Sequence, residues 1–264
     1  MPANPLHQAI RSGVRMNGRI GNLFAKVGSS AHPRGEIVTT YKRSRLAMKA
    51  ALSERNKLVA TQDVLRGMRN ELQRSVASIF SDAISLGDDE ARRQLSFYGQ
   101  TSNDTINLTS ETQSALDAVM TRFDAQAATI RALVATDAED EQIVGDDSGG
   151  GILTSSDIAA GISYWIAYLI WHGFESLIIG NQVFNFEKQA IAAIDMRTTN
   201  CCLNVHGQVQ PFNQPFILKG SPKFANKMDW PGFHYYCRTS AVLYVAEFDD
   251  GITAQLLADA KKYW

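Results

Sequence analysis

The sequence contains few cysteines, and their scarcity excludes a class of protein. Its 264 residues include three cysteines, of which Cys201 and Cys202 are adjacent. That number is too small for the disulfide framework of a small secreted domain, so a reducing compartment is expected. Residues 1–20 are polar and contain no apolar core of the length that a signal peptide needs, so none is expected there.

Catalytic motifs are missing as well. The chain has no glycine-rich phosphate loop, no paired-carboxylate motif and no Ser–His–Asp order. We therefore expect a protein that is not an enzyme.

The whole chain has no large excess of one charge, but each of its two parts does. The formal net charge is -1, yet residues 1–74 hold 14 Lys or Arg against 4 Asp or Glu, and residues 75–264 hold 12 against 23. Such asymmetry indicates an interaction surface.

Residues 1–35 also contain five glycines and three prolines, which predicts a flexible basic arm. A basic arm can bind DNA through its phosphates. The candidate DNA-binding residues are Arg11, Arg15, Arg19, Lys26 and Arg34.

The alternatives for this arm stay open. It could bind an acidic protein surface instead of DNA, or be a frayed terminus without a role.

Long helices are predicted after the arm, in a stalk domain over residues 36–150. Apolar residues recur in steps of three and four from Leu65 to Ala83 and again from Leu116 to Val134, as on one face of a helix. Gly87 is expected to end the first of these helices. The acidic, glycine-rich segment 137–151 predicts a linker. Facing helical stripes favour an antiparallel hairpin or stalk, a shape suited to docking on another protein.

The most apolar stretch spans residues 158–180, with about the length of a membrane span. Gly161, Ser163, His172 and Glu175 interrupt it, and no basic cluster flanks it. A buried helix is therefore favoured over a transmembrane helix, and no stable membrane association is expected. Insertion into a membrane is the alternative.

The last third of the chain predicts a small α+β module over residues 151–264. A helix is expected from Phe184 to Ile194, followed by short strands, of which residues 241–248 are the clearest because they are rich in Val, Leu, Tyr and Phe. The predicted fold class is therefore α+β, with a mainly α-helical N-terminal two thirds and this small module at the end.

The module contains a candidate metal site. Cys202 and His206 are four residues apart, and His234 and Cys237 are three apart. Two close pairs separated by a strand-rich loop are the usual arrangement of a structural zinc site. The alternatives are buried thiols with hydrogen-bonded histidines and no cofactor, or a zinc-dependent enzyme acting on nucleic acid.

Charged residues flank these pairs. Asp195 and Arg197 precede the first pair, and Arg238 follows the second. An Asp–Arg ion pair would hold the two segments together as a structural clasp. The catalytic alternative makes Asp195 a base and Arg197 an anion-binding residue.

The segments DMRTTNCC from Asp195 and PGFHYYCRT from Pro231, with His206-Gly207 between them, resemble the head-morphogenesis motif of the phage Mu F-like minor head proteins. That family pairs D-x-R-T-C-x-x-C, followed by a glycine, with P-x-H-P-x-C-R-C. Here Thr199 and Thr239 stand where the family has cysteines. The matched positions are Asp195, Arg197, Cys202, His234, Cys237 and Arg238.

The resemblance implies a structural protein of a tailed bacteriophage virion that acts in head morphogenesis and genome ejection. The expected partner is the portal protein, on whose ring the chain could form an oligomer, with double-stranded DNA and capsid or scaffold proteins as further partners. The expected location is the capsid interior or portal vertex, and the host cytoplasm during assembly.

Overall fold

The computed structural model describes residues 3–29, 32–136, 138–145, 151–179, 185–220 and 222–263. Helices dominate up to residue 179. They are α1 (Pro5–Val27), α2 (Glu36–Leu52), α3 (Lys57–Phe97), α4 (Thr109–Ala135), α5 (Asp140–Val144) and α6 (Ser156–Ile179). A small C-terminal α+β module follows, with antiparallel sheets, so the predicted fold class is confirmed. Part of the predicted linker, residues 137 and 146–150, lies outside the described residues.

The module consists of short elements. In chain order they are β1 (Glu187–Ile191), α7 (Asn200–Val205), β2 (Val209–Pro211), β3 (Phe216–Ile217), β4 (Lys227–Met228), β5 (Ser240–Tyr244), a 3₁₀ helix (Ala246–Phe248) and α8 (Ile252–Lys261). One sheet has the order β2-β1-β5, and β3 pairs with β4; all of these pairings are antiparallel.

The chain divides into two compact units. The first, the motif unit, contains Met1–Asn22, Asp82–Leu108 and Ile166–Trp264, and the second, the helical unit, contains Leu23–Ser81 and Thr109–Trp165. These units do not follow the predicted boundaries at residues 35 and 150. The reason is that parts of three long helices pack with the C-terminal module, and a linear reading of composition does not detect such packing.

The predicted flexible arm over residues 1–35 was wrong, because Pro5–Val27 forms helix α1. Asn4 begins it: its Oδ1 accepts the backbone N–H of Leu6 at 2.9 Å, and Pro5 occupies the first turn, where no N–H is needed. Apolar side chains such as Met16 and Ile20 are buried on one face. Among the glycines that suggested an irregular chain, Gly13 serves close packing, whereas Gly18 lies at an open surface.

Gly13 shows why a glycine is placed in this helix. A Cβ there would lie 2.5 Å from Cγ1 of Val242, within strand β5. The close approach is held by two hydrogen bonds: Ser240 Oγ donates to the Gly13 carbonyl at 3.0 Å, and Asn17 Nδ2 donates to the Ile191 carbonyl at 3.1 Å. The first part of α1 is therefore a core element of the motif unit.

The expected helix end at Gly87 was also wrong. Helix α3 runs without a break from Lys57 to Phe97. A Cβ at Gly87 would clash with the carbonyl oxygen of Ile170, which lies in the part of α6 that belongs to the same unit. Gly87 is thus a contact point between two helices, and its role could not be distinguished from a cap by sequence position.

The predicted helix from Phe184 to Ile194 was wrong too, because Glu187–Ile191 forms strand β1. The last four of its five residues are buried, so the strand lacks the alternation that would reveal it. Its buried lysine is stabilised by polar and aromatic partners: Lys188 Nζ donates to the carbonyls of Phe212 at 3.0 Å and Asp229 at 2.7 Å, and lies 4.4 Å from the Trp230 ring centroid.

The outer edge of β5 is satisfied by side chains of α3. The Leu243 N–H donates to Gln94 Oε1 at 2.7 Å, and the Tyr98 hydroxyl donates to the Leu243 carbonyl at 2.8 Å. Gln94 is itself held by Glu90, whose Oε1 accepts its Nε2 at 2.8 Å. Two side chains one helical turn apart thus take the place of a neighbouring strand.

Gly13→Ala tests the packing of α1. The new methyl group meets buried Val242, so we expect a loss of about 1–3 kcal/mol in the free energy of unfolding, measured with urea. Gly18→Ala in the same helix is the matched control, because its Cβ would meet nothing within 4 Å. It should gain about 0.5–1 kcal/mol from helix propensity. Equal effects of the two substitutions would contradict the packing of α1 against β5.

Candidate functional site

Three thiols and one imidazole converge in the motif unit. Cys201 and Cys202 lie on the short helix α7, and His234 and Cys237 lie on the loop before β5. Cys202 Sγ is 3.1 Å from His234 Nε2 and 3.7 Å from Cys237 Sγ. The donor atoms of Cys201, Cys202 and His234 all lie within 4.8 Å of one another. The four residues are called the thiol cluster below.

Backbone geometry fixes the donors of this cluster. His234 Nδ1 donates to the Tyr235 carbonyl at 2.8 Å, and this hydrogen bond orients the ring so that Nε2 faces the thiols. Tyr236 has φ of +58°, a left-handed conformation that costs a non-glycine residue about 1–2 kcal/mol. The loop accepts this cost immediately before Cys237, so the position of that thiol is tightly constrained.

The hydrogen bonds of the cluster favour thiolate at Cys201 and Cys237 and a protonated thiol at Cys202. Burial raises the pKa of the Cys237 thiol, but hydrogen bonds to Cys202 and His234 outweigh burial and hold this pKa well below its ordinary value. The hydrogen bond to Cys202 lowers the pKa of Cys201 to about 6, whereas hydrogen bonds to Cys201 and Cys237 raise the pKa of Cys202. Burial lowers the pKa of His234, but its hydrogen bond with Cys237 prevails and raises it to about 9.

The thiol cluster fits a structural zinc ion. Tetrahedral zinc with Zn–S bonds of about 2.3 Å places its sulfur ligands about 3.8 Å apart, and the Cys202–Cys237 sulfur separation is 3.7 Å. Three thiols and one imidazole supply four ligands, which would close the coordination shell. Cys201, Cys202 and Cys237 are 2–3% exposed, so a substrate has no access to them as nucleophiles.

His206 is the one predicted ligand that the structure does not bring to this cluster. Its Nδ1 accepts the Ala192 N–H at 2.9 Å, and its Nε2 is buried with no partner among the described residues. Burial lowers its pKa to about 4, so it is a neutral packing residue. Cys201, which sequence spacing did not select, takes its place because α7 turns two adjacent thiols toward the same loop.

Asp195 and Arg238 form a bidentate ion pair. Arg238 Nη1 and Nη2 donate to the two carboxylate oxygens of Asp195, each at 2.8 Å. Asp195 Oδ1 also accepts the Arg197 N–H at 2.8 Å, and the Asp195 N–H donates to Thr198 Oγ1 at 2.9 Å. Arg197 itself is exposed. The pair therefore joins the turn before α7 to the loop that leads into β5, directly after Cys237.

This geometry is a clasp and is poorly suited to general-base catalysis. The hydrogen bond from Arg238 lowers the pKa of Asp195 to about 2, so the carboxylate has little tendency to accept a proton. Both of its oxygens are also engaged by N–H donors.

The two threonines at the family's cysteine positions have different surroundings. Thr199 Oγ1 lies 3.1 Å from Cys201 Sγ, so its hydroxyl contacts the thiol cluster. Thr239 is buried, and its Oγ1 has no hydrogen-bond partner among the described residues. Neither threonine lies among the residues that could hold a metal ion in the described part of the chain.

The candidate DNA-binding residues lie in two places. Arg11 and Arg15 are exposed one turn apart on α1, and Arg19, one further turn along, lies 3.3 Å from Asp89. Lys26 is exposed near the end of α1, and Arg34 is exposed just before α2. The first three therefore belong to the motif unit, and the last two to the helical unit.

Helix α6 is long and apolar enough to cross a membrane by length and composition alone. In the described part of the chain it is the one helix with this property, and 61% of its most apolar window is buried. The core helix of a soluble protein passes the same test, so α6 is weak evidence for a membrane span.

Comparison with protein-family models, curated proteins and solved structures found no match for this chain.

Metal analysis tests the ligand set. We expect about one zinc per chain after preparation with zinc, since four donors converge. Cys201→Ser and Cys237→Ser should each lose the metal and lower the melting temperature, and a chelator should do the same to the wild type. His206→Gln is the matched control and should keep it. Retention of zinc by Cys201→Ser and loss by His206→Gln would reverse the assignment.

Acid unfolding tests the clasp. The folded pKa of Asp195 is about 2, below its ordinary 3.8. Stabilisation by the ionised form is therefore fully present above about pH 3.8 and lost as the pH falls toward 2. Asp195→Asn should be less stable than the wild type at pH 6, with the difference shrinking between pH 4 and pH 2. Asp89→Asn, which alters the more exposed pair with Arg19, should change unfolding less at every pH. A difference for Asp195→Asn that stays constant with pH would contradict the assignment.

Proposed function

We propose that the chain is a structural minor head protein of a tailed bacteriophage, which docks on the portal and contacts the packaged DNA. The observation that supports this proposal is the meeting of the two motif segments. Asp195 of the first binds Arg238 of the second, and Cys202 contacts His234 and Cys237. These are the positions that match the head-morphogenesis motif, so the resemblance in sequence corresponds to one compact site.

The chemistry of this site also favours a structural role over an enzymatic one. A zinc-dependent enzyme needs an open coordination position and a free base. Cys201, Cys202 and His234, with Cys237 3.7 Å from Cys202, would close the coordination shell of a zinc ion, and the carboxylate of Asp195 is engaged by Arg238. Zinc at this cluster would supply folding energy by joining α7 to the loop before β5.

The DNA contact is assigned to the exposed face of α1. Arg11 and Arg15 lie on this face, and a Cβ at Gly18 would meet nothing within 4 Å, so the surface there is open. A helix fixed to the core presents arginines to phosphates without the ordering cost that a flexible arm would incur. Portal, capsid and scaffold contacts would then involve other surfaces, inside the virion or in the host cytoplasm during assembly.

Purified particles test the docking on the portal. The chain should co-purify with the portal oligomer from infected cells and be present in mature particles. The Arg238→Ala chain, which loses the clasp, should associate less, while Lys261→Gln, a change on exposed α8, should not affect association. Absence of the wild-type chain from particles would overturn the proposal.

The salt dependence of DNA binding tests α1. Arg11→Gln with Arg15→Gln removes two phosphate contacts, so the slope of log affinity against log salt should become shallower by about 1.8 units. Lys261→Gln with Lys262→Gln removes the same charge from another exposed surface of the motif unit and is the matched control. An unchanged slope in the α1 variant, or an equal change in the control, would exclude this face.

A further inference from the structure

Helix α2 presents a cationic face that the motif does not explain. Its apolar side is buried, including Ile37, Tyr41 and Met48, while Lys42 and Lys49 are exposed on the other side. Between positions 42 and 57, at the end of α2, the turn and the start of α3, the sequence has six Lys or Arg and one acid, Glu54.

The basic side chains available to bind an anionic partner are those that do not form an ion pair with an acidic side chain of the protein. Lys42 Nζ donates to the Pro33 carbonyl at 3.2 Å, a neutral acceptor that leaves the charge in place. Lys49 and Arg55 are exposed and have no partner among the described residues. Arg43, by contrast, pairs with Glu71. We therefore call Lys42, Lys49 and Arg55 the α2 cationic face.

We infer that the α2 cationic face is a second binding site for the phosphate backbone of double-stranded DNA. It belongs to the helical unit, whereas the α1 arginines Arg11 and Arg15 belong to the motif unit. The inference goes beyond the proposed function, since this face would bind DNA whether or not the chain docks on a portal.

The spacing of the charges suits a polyanion with a regular repeat. Lys42 and Lys49 are separated by two helical turns, or about 10 Å along the axis, and Arg55 lies beyond the end of the helix. Duplex DNA carries one charge per about 1.7 Å of its axis. A straight helix laid against the duplex therefore finds a phosphate near each cation, with no need for sequence-specific contacts.

A lipid surface fits this face less well. A membrane-bound amphipathic helix inserts its apolar side into the headgroup boundary, but the apolar side of α2 is already buried in the protein. Leu46 is the large apolar residue that α2 leaves exposed in the described chain, at 70%. Leu58 and Val59 at the start of α3 are 39% and 50% exposed, and so few exposed apolar residues are ordinary on a soluble protein surface.

Fluorescence anisotropy with a 30-base-pair duplex tests the inference on the full chain, over a range of sodium chloride concentrations. The triple variant Lys42→Gln, Lys49→Gln and Arg55→Gln should make the slope of log affinity against log salt shallower by up to about 2.7 units. Its circular dichroism and melting temperature should match the wild type, because all three side chains are exposed.

The control variant removes the same charge elsewhere in the helical unit. Arg66→Gln, Arg74→Gln and Arg131→Gln change three exposed arginines of α3 and α4. If the control variant changed the slope of log affinity against log salt as much as the α2 variant, net charge alone would explain the DNA binding. That result would overturn the inference. The Arg11→Gln, Arg15→Gln variant tests DNA binding by α1 separately, so the prediction for one face can be contradicted without affecting the other.

Binding to vesicles that contain phosphatidylserine tests whether the α2 cationic face binds anionic lipid instead of DNA. If the α2 variant loses binding to vesicles while its DNA slope equals that of the wild type, the face is a lipid site and the inference is overturned. A reduced DNA slope in the α2 variant alone supports it.

Discussion

The bidentate ion pair between Asp195 and Arg238 is the constraint on which the site depends. It connects a tight turn that leads into α7 with the residue that follows Cys237. Because α7 carries two of the thiols, the pair sets the distance between them and the loop that supplies His234 and Cys237. The closed clasp therefore favours the observed separations within the thiol cluster, whether or not a metal adds its own bonds.

The sequence predicted the fold class and the residues of the clasp, but not the partners of the first helix. Stripes at helical spacing indicated α3 and α4, since periodicity reports burial directly. Gly13 and Gly87 misled the prediction because a glycine placed for close packing and a glycine placed for flexibility have the same letter. Strand β1 was missed because its burial on both faces removes the alternation, and because a buried Lys188 is stabilised by carbonyls that come from distant segments.

The ligand set shows the same limit at the site. Spacing selected His206 over Cys201, since a pair four residues apart resembles a zinc ligand pair and two adjacent cysteines do not. The structure directs His206 to the backbone of Ala192 instead. The direction of each side chain around α7 determines whether Cys201 or His206 faces the thiol cluster. The spacing of residues along the sequence does not give that direction.

Side chains of α3 bind the backbone at the outer edge of β5, and this has a consequence for assembly. Gln94 and Tyr98 occupy the backbone groups of Leu243 that a strand from another molecule would need. An exposed edge strand is a template for uncontrolled polymerisation when copies are crowded together. With the backbone groups of Leu243 occupied, the middle of β5 cannot pair with a strand of another copy, even where copies are gathered at high local concentration.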